Sequence, residues 1–147
     1  MKLISHRGNL KGPIPEKENR PSYIDCALQL GYEVEVDIRY LNGDFWLGHD
    51  TPDFKVSKSW IEKRKGSLWF HCKDISSAHK LKELDLNLKY FCHNYDPYII
   101  VSTGHLWVHD LTLELSKDCI IPLLSKKEML NNEINYVYAV CSDYIIW

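Results

Sequence analysis

Residues 33–38 alternate strictly between carboxylate and aliphatic side chains, Glu33-Val34-Glu35-Val36-Asp37-Ile38, within the stretch GYEVEVDIRYLNGDFWLGHDTP. Successive side chains of a strand point to opposite faces, so Val34, Val36 and Ile38 share one face and Glu33, Glu35 and Asp37 share the other. The aliphatic face demands a packed layer. The acidic face must meet either water, as on a solvated edge strand, or the polar interior of a closed sheet. In the second case Glu35 and Asp37 sit about 6.6 Å apart along the strand. Carboxylates that close and screened from water raise each other's pKa unless a cation lies between them. A hard divalent ion takes oxygen ligands of this kind.

Around this strand the chain alternates between strand-like and helix-like stretches. Residues 3–5 form a short strand ending at His6, and a helix starts at Pro21, which suits the first helical position. Gly31 closes that helix. The acidic strand spans 32–40, with a short extension at 45–47 after the Asn42-Gly43 turn. Ser57 caps a helix carrying Trp60 and Ile61, residues 68–72 form a third strand, and Ala78, Leu81 and Leu84 keep helical spacing. Beyond residue 88, apolar runs recur at 90–92, 98–101, 106–108, 119–123 and 136–140. Only the last gap carries a clear helix signal, the capping box Ser125/Glu128. Alternation of this kind implies a mainly parallel sheet. Some eight strands in 147 residues predict an α/β fold, a reduced (β/α)8 TIM-type barrel that has lost several outer helices in its second half, since such barrels usually take ~200 residues or more. Residues 1–147 are expected to form a single domain.

Barrel active sites lie at the C-terminal ends of the strands. His6 and Arg7 end the first strand, His49 follows the extension of the second, His71 and Lys73 end the third, and His93 ends the fourth. With Glu35 and Asp37 they make a convergent polar cluster that packing alone does not require. Trp46, Trp69 and Trp107 read as core filling, Cys72 should point away from the interior, and His79 sits among lysines on a helix surface. Asp143 either contacts the site or simply ends the last strand.

The series Ile4-Ser5-His6-Arg7-Gly8, Glu18-Asn19, Glu35-Val36-Asp37 and Gly48-His49-Asp50 resembles the glycerophosphodiester phosphodiesterase family in order and spacing over the first half of the chain. The resemblance implies a barrel of the phospholipase C-like phosphodiesterases. It implies that His6 and His49 act as general acid and base, that Arg7 and Lys73 hold the phosphate, and that Glu35 and Asp37 bind a divalent metal. Glu18 and Asn19 would support the loop beside Arg7, although Asn19 also suits a helix-capping position. The expected reaction is hydrolysis of a glycerophosphodiester-type substrate, a small molecule or lipid headgroup, to a phosphomonoester and an alcohol. The family carries a glutamate where this chain has His71. The metal is therefore Mg²⁺ or Ca²⁺ by resemblance, and His71 leaves three alternatives open: a site shifted to Mn²⁺ or Zn²⁺ with His71 as a ligand, an ion held by Glu35, Asp37 and water, or a site without a metal. Two other readings stay open: a phosphodiester-binding module that has lost turnover, and a phosphatidylinositol-type phospholipase.

A net charge of −2 gives no general attraction to nucleic acid. No apolar run approaches the length of a membrane span, and the start MKLISHRGNL lacks the apolar core of a secretory signal, so a cytoplasmic location is expected. Five scattered cysteines without a CxxC pair are expected to be reduced. Thin helical cover would leave apolar sheet exposed and hints at a homodimer.

Overall fold

In the computed structural model, which describes residues 1–84, 86–131 and 134–146, the alternating segment becomes the longest strand and the centre of the sheet. Strand β1 (Lys2–His6) leads through a long loop to helix α1 (Pro21–Gln29) and then to β2 (Glu33–Leu41). The Asn42-Gly43 turn folds the chain back into β3 (Asp44–Leu47), and β4 (Phe54–Val56) follows. Helix α2 (Lys58–Arg64) precedes β5 (Leu68–Cys72), and α3 (Ile75–Glu83) precedes β6 (Lys89–Cys92). The rest comprises β7 (Tyr98–Ile100), β8 (Leu106–Val108), β9 (Cys119–Pro122), α4 (Lys126–Asn131) and β10 (Ala139–Ser142).

Parallel pairing runs in the order β6-β5-β2-β1-β10-β9-β8, and β7 is added antiparallel to β8. β2 divides one of its edges between two partners. Its first half pairs with β1 at Glu33–Glu35, and its second half pairs antiparallel with β3 at Ile38–Leu41. The sheet curls until β6 meets the segment after β7. There Ser102 donates its backbone N–H to the Tyr90 carbonyl (2.9 Å) and accepts from the Tyr90 N–H at its hydroxyl (2.9 Å).

The architecture is a mixed ten-strand curled sheet, in effect half a barrel, with four short helices making up 21% of the chain. This corrects the expected (β/α)8 TIM-type barrel. The reason lies in the connections. A parallel crossover takes a dozen or more residues, whereas only residues 93–97 separate β6 from β7 and only 101–105 separate β7 from β8. Connections that short force a hairpin, so strand direction reverses and helical cover disappears. The β3–β4 hairpin adds a second antiparallel element.

Each face of β2 is buried as its chemistry requires. Val34, Val36 and Ile38 are fully buried against Ile24 and Ala27 of α1, Ile61 of α2 and Leu81 of α3. Burying such a side chain contributes about 1.5–3 kcal/mol relative to exposure. The helices begin where local chemistry caps them: the Ser57 hydroxyl accepts from the Trp60 N–H, and the Asp74 carboxylate from the Ser77 N–H. The reciprocal Ser125/Glu128 bonds close the capping box of α4. Inside the curl, Ile4, Trp69, Phe91, Trp107, Ile120, Ala139 and Cys141 fill the space below the site. Cys72 packs on the outer, helix-covered side, as its alternation demands. All five cysteines are free, with Cys26 and Cys92 exposed.

Candidate functional site

Glu35 and Asp37 are 2% and 0% exposed, and they are held differently. Asp37 Oδ2 lies 2.9 Å from Arg7 Nε and accepts a 2.8 Å hydrogen bond from Asn19 Nδ2. The Asp37 N–H in turn donates to Asn19 Oδ1 (2.9 Å). Its other oxygen, Oδ1, has His71 Nδ1 at 3.2 Å and Lys73 Nζ at 3.7 Å. Glu35 is flanked by two imidazoles, with His71 Nδ1 3.7 Å from Oε1 and His6 Nε2 3.8 Å from Oε2. Burial pushes both carboxyls up. At Asp37 the neighbouring His71 and the Arg7 guanidinium overcome it, and its pKa falls well below the usual carboxylate range. At Glu35 burial and the Asp37 charge prevail, and its pKa is raised. The pair thus splits into one firm carboxylate and one that binds a proton more readily.

Glu35, Asp37 and His71 each offer a ligand atom within 4.8 Å of the others, so the group can hold a metal ion. The fit is supported by two buried acceptors, Glu35 Oε2 and Asp37 Oδ1, that have no hydrogen-bond partner among the described residues. Buried carboxylate charge is costly to leave uncompensated, and a cation would add to the His71 and Lys73 contacts that Asp37 Oδ1 already has.

The turn after β1 is shaped around these carboxylates. Arg7 adopts a left-handed φ of 55°, donates its N–H to the Glu35 carbonyl (2.9 Å), and accepts at its own carbonyl from the Asn19 N–H (3.1 Å). Gly8 follows at φ 93°, and a Cβ there would lie 2.8 Å from the Tyr23 ring. Asn19 is buried with φ 61°. It serves Asp37 rather than capping α1, whose first turn has no side-chain cap. Glu18 holds Arg7 Nη1 (3.0 Å) and accepts from Asn9 Nδ2 (2.9 Å). Asn9 also donates to Asp143 (2.7 Å), and the same Asp143 oxygen lies 2.8 Å from His6 Nδ1. Burial would lower the His6 pKa, but the Asp143 hydrogen bond and the Glu35 charge raise it. A polar chain therefore runs from His6 through Asp143, Asn9, Glu18 and Arg7 to Asp37.

His49 reaches the same cavity from the β3 side. Gly48, at φ 147°, donates its N–H to the Asp37 carbonyl (3.1 Å). No side chain fits here, because a Cβ would meet the Thr51 carbonyl at 1.9 Å. Arg39 donates from Nε to the Gly48 carbonyl and from Nη2 to the His49 carbonyl. The His49 ring is half-exposed, with Asp50 2.8 Å from Nδ1.

A cavity of ≈ 550 Å³ joins these groups, lined by His6, Arg7, Glu35, His49, His71 and Lys73 together with Phe91, His93, Trp107, His109 and Leu124. Of the residues expected to act on substrate, metal or the Arg7 loop, Asp37, Glu18 and Asn19 do not line the cavity; they brace its wall. Asp143 proves to be a site contact. Sequence reasoning missed Asn9 and Arg39; His109, like His93 a candidate extension of the cluster, does line the cavity. Asn9 had a signal, since a buried amide one residue beyond a left-handed turn has backbone and carboxylates to satisfy. His79 is exposed, as expected. Among the described residues no helix is long and apolar enough to cross a membrane.

Comparison with protein-family models, curated proteins and solved structures finds no match.

Proposed function

We propose that this chain is a metal-assisted phosphodiesterase of the glycerophosphodiester type, which its sequence motifs resemble. The observation that carries the reading is the buried trio Glu35, Asp37 and His71, whose ligand atoms lie within 4.8 Å of one another, at the wall of a cavity lined by Glu35, Arg7, His6, His49 and Lys73. A divalent cation held by Glu35, Asp37 and His71 would neutralise phosphate charge. Arg7 and Lys73 give the non-bridging phosphate oxygens a planar fork and a point charge. His6, oriented by Asp143 and raised in pKa, is suited to carry a proton at Nε2 toward the leaving alcohol. His49, half-exposed, is suited to accept one from the attacking hydroxyl. The imidazole of His71 favours Zn²⁺ or Mn²⁺ over Mg²⁺ as the ion.

A second reading, a phosphodiester-binding module, is favoured by a specific contact pattern. Arg7, His71 and Lys73 all lie within 3.7 Å of Asp37, so the cluster carries internal counter-charge without an added ion. The two readings separate in one experiment. Chelator-stripped protein is assayed on a chromogenic phosphodiester with Mg²⁺, Ca²⁺, Mn²⁺ and Zn²⁺ added singly, beside His6→Ala and His49→Ala. Turnover restored by one ion and abolished in both variants is the expected result. Turnover that persists in both variants would overturn the acid–base assignment, and binding without turnover under any ion would favour the module.

A further inference from the structure

β5 and β6 run parallel and end together on two cysteines that the proposed reaction does not use. Cys72 closes β5, Cys92 closes β6, and the two are register partners across the strand pair. Neighbouring strands lie about 4.7–4.9 Å apart, inside the roughly 4.4–6.8 Å between Cα atoms that a disulfide spans. Register partners on adjacent strands project to the same face, and here the two thiol groups interact side chain to side chain. Both are free. The other three cysteines have no such neighbour: Cys26 stands on α1, and Cys119 and Cys141 belong to different buried clusters, with no cysteine as a strand-register partner.

Packing accounts for Cys72, which is 4% exposed and serves as a small apolar side chain under the helices. It does not account for Cys92, which is exposed. The pair borders a groove of ≈ 450 Å³, lined also by Lys73, Asp74, Ile75 and His93, through which a small molecule reaches the outer thiol. We propose that Cys92 and Cys72 form a thiol–disulfide exchange site for a low-molecular-weight disulfide, closing to an internal disulfide that joins the ends of β5 and β6. The Cys92 sulfur, as thiolate, attacks one sulfur of the small disulfide; the Cys92 mixed disulfide forms and one small thiol leaves with the proton. Cys72 then loses its proton and attacks Cys92 Sγ, which forms the internal bond and releases the second small thiol. Two protein thiols are oxidised and one small disulfide is reduced to two thiols. Neither a metal nor phosphodiester hydrolysis enters the step.

The test treats fully reduced, folded wild-type protein with excess glutathione disulfide, alkylates the remaining thiols, and maps unreduced peptides by mass spectrometry. The Cys72 and Cys92 peptides should be recovered linked to each other, with two glutathione thiols released per link, and dithiothreitol should restore both thiols. Cys26, exposed but without a neighbouring thiol, can only keep the glutathione it takes up, so loss of both thiols at 72 and 92 with no glutathione retained there is the signature. Cys72→Ser should stop at glutathione held on Cys92, and Cys92→Ser should give no link. Wild-type protein in which both residues are still alkylated, or in which glutathione stays on Cys92 while Cys72 is alkylated, would overturn the proposal without any variant having to fold. Absent hydrolysis in a preparation that forms the link would instead count against the phosphodiesterase reading alone.

Discussion

The two ends of the acidic face of β2 carry the same residue type and do opposite things. At the lower end Glu33 is saturated: Lys2 Nζ lies 2.8 Å from one oxygen, and Lys89 Nζ and Trp69 Nε1 (2.6 Å) both reach the other. Burial would raise its pKa, but the bonds from Lys2 and Lys89 outweigh that and lower it. At the upper end Glu35 and Asp37 keep buried oxygens without hydrogen-bond partners. The period-two pattern that places all three on one side cannot distinguish them. Partners arriving from β1, β5 and β6 make one end a structural plug and leave the other open for chemistry.

Substitutions along this face should split accordingly. Asp37→Asn, which removes the charge facing Arg7, His71 and Lys73, should lower hydrolysis by on the order of 10²-fold or more and abolish metal uptake at this group; steady-state kinetics and calorimetry on one preparation would show both. Asp143→Asn should cost roughly 10-fold, because Asp143 acts through His6. It should also move the His6 limb of the pH–rate profile to lower pH, since the raising influence is lost; an unmoved limb would remove Asp143 from the positioning role. Glu33→Gln should leave activity per folded molecule unchanged while destabilising the fold by about 1–3 kcal/mol, read from urea unfolding. If Glu33→Gln instead lowered turnover with stability intact, the plug-and-site division would fail.

The smallest effect concerns His109. Burial and the nearby His93 and His71 depress His109 from 6.5 to about 4. An unfolded chain therefore takes up a proton between those values that the folded chain refuses. The stability associated with neutral His109 is fully present above pH 6.5 and is lost as pH falls toward 4. The melting temperature of metal-free wild type should fall more steeply through that window than that of His109→Phe.

What was legible in the sequence follows the same division between local and remote. The faces of β2, the Pro21 start of α1, the Ser57 cap and the trio Glu35, Asp37 and His71 all rest on spacing within one or two elements. The hairpin of β7 and β8 was not legible as such, because an apolar run looks the same in a parallel or an antiparallel strand. The clue lay in the brevity of 93–97 and 101–105. β4 is only three residues long, too short to show a period. The contact of His6 with Asp143 spans 137 positions and exists because β1 and β10 pair in parallel. The stack of His93 on His109 likewise needs the curl of the whole sheet.

The anchoring of the loop after β3 sets His49 apart from His6 by what holds each in place. Gly48 is tied to the Asp37 carbonyl, and Arg39 grips the Gly48 and His49 carbonyls from the same strand. The backbone of His49 and the two carboxylates thus sit on one hairpin, β2–β3, joined by local hydrogen bonds. His6 takes its orientation instead from Asp143, just beyond the last strand and 137 positions away. The backbone of His49 is thus set by a contact ten positions away in the chain, and the ring of His6 by one that needs the pairing of the first and last strands.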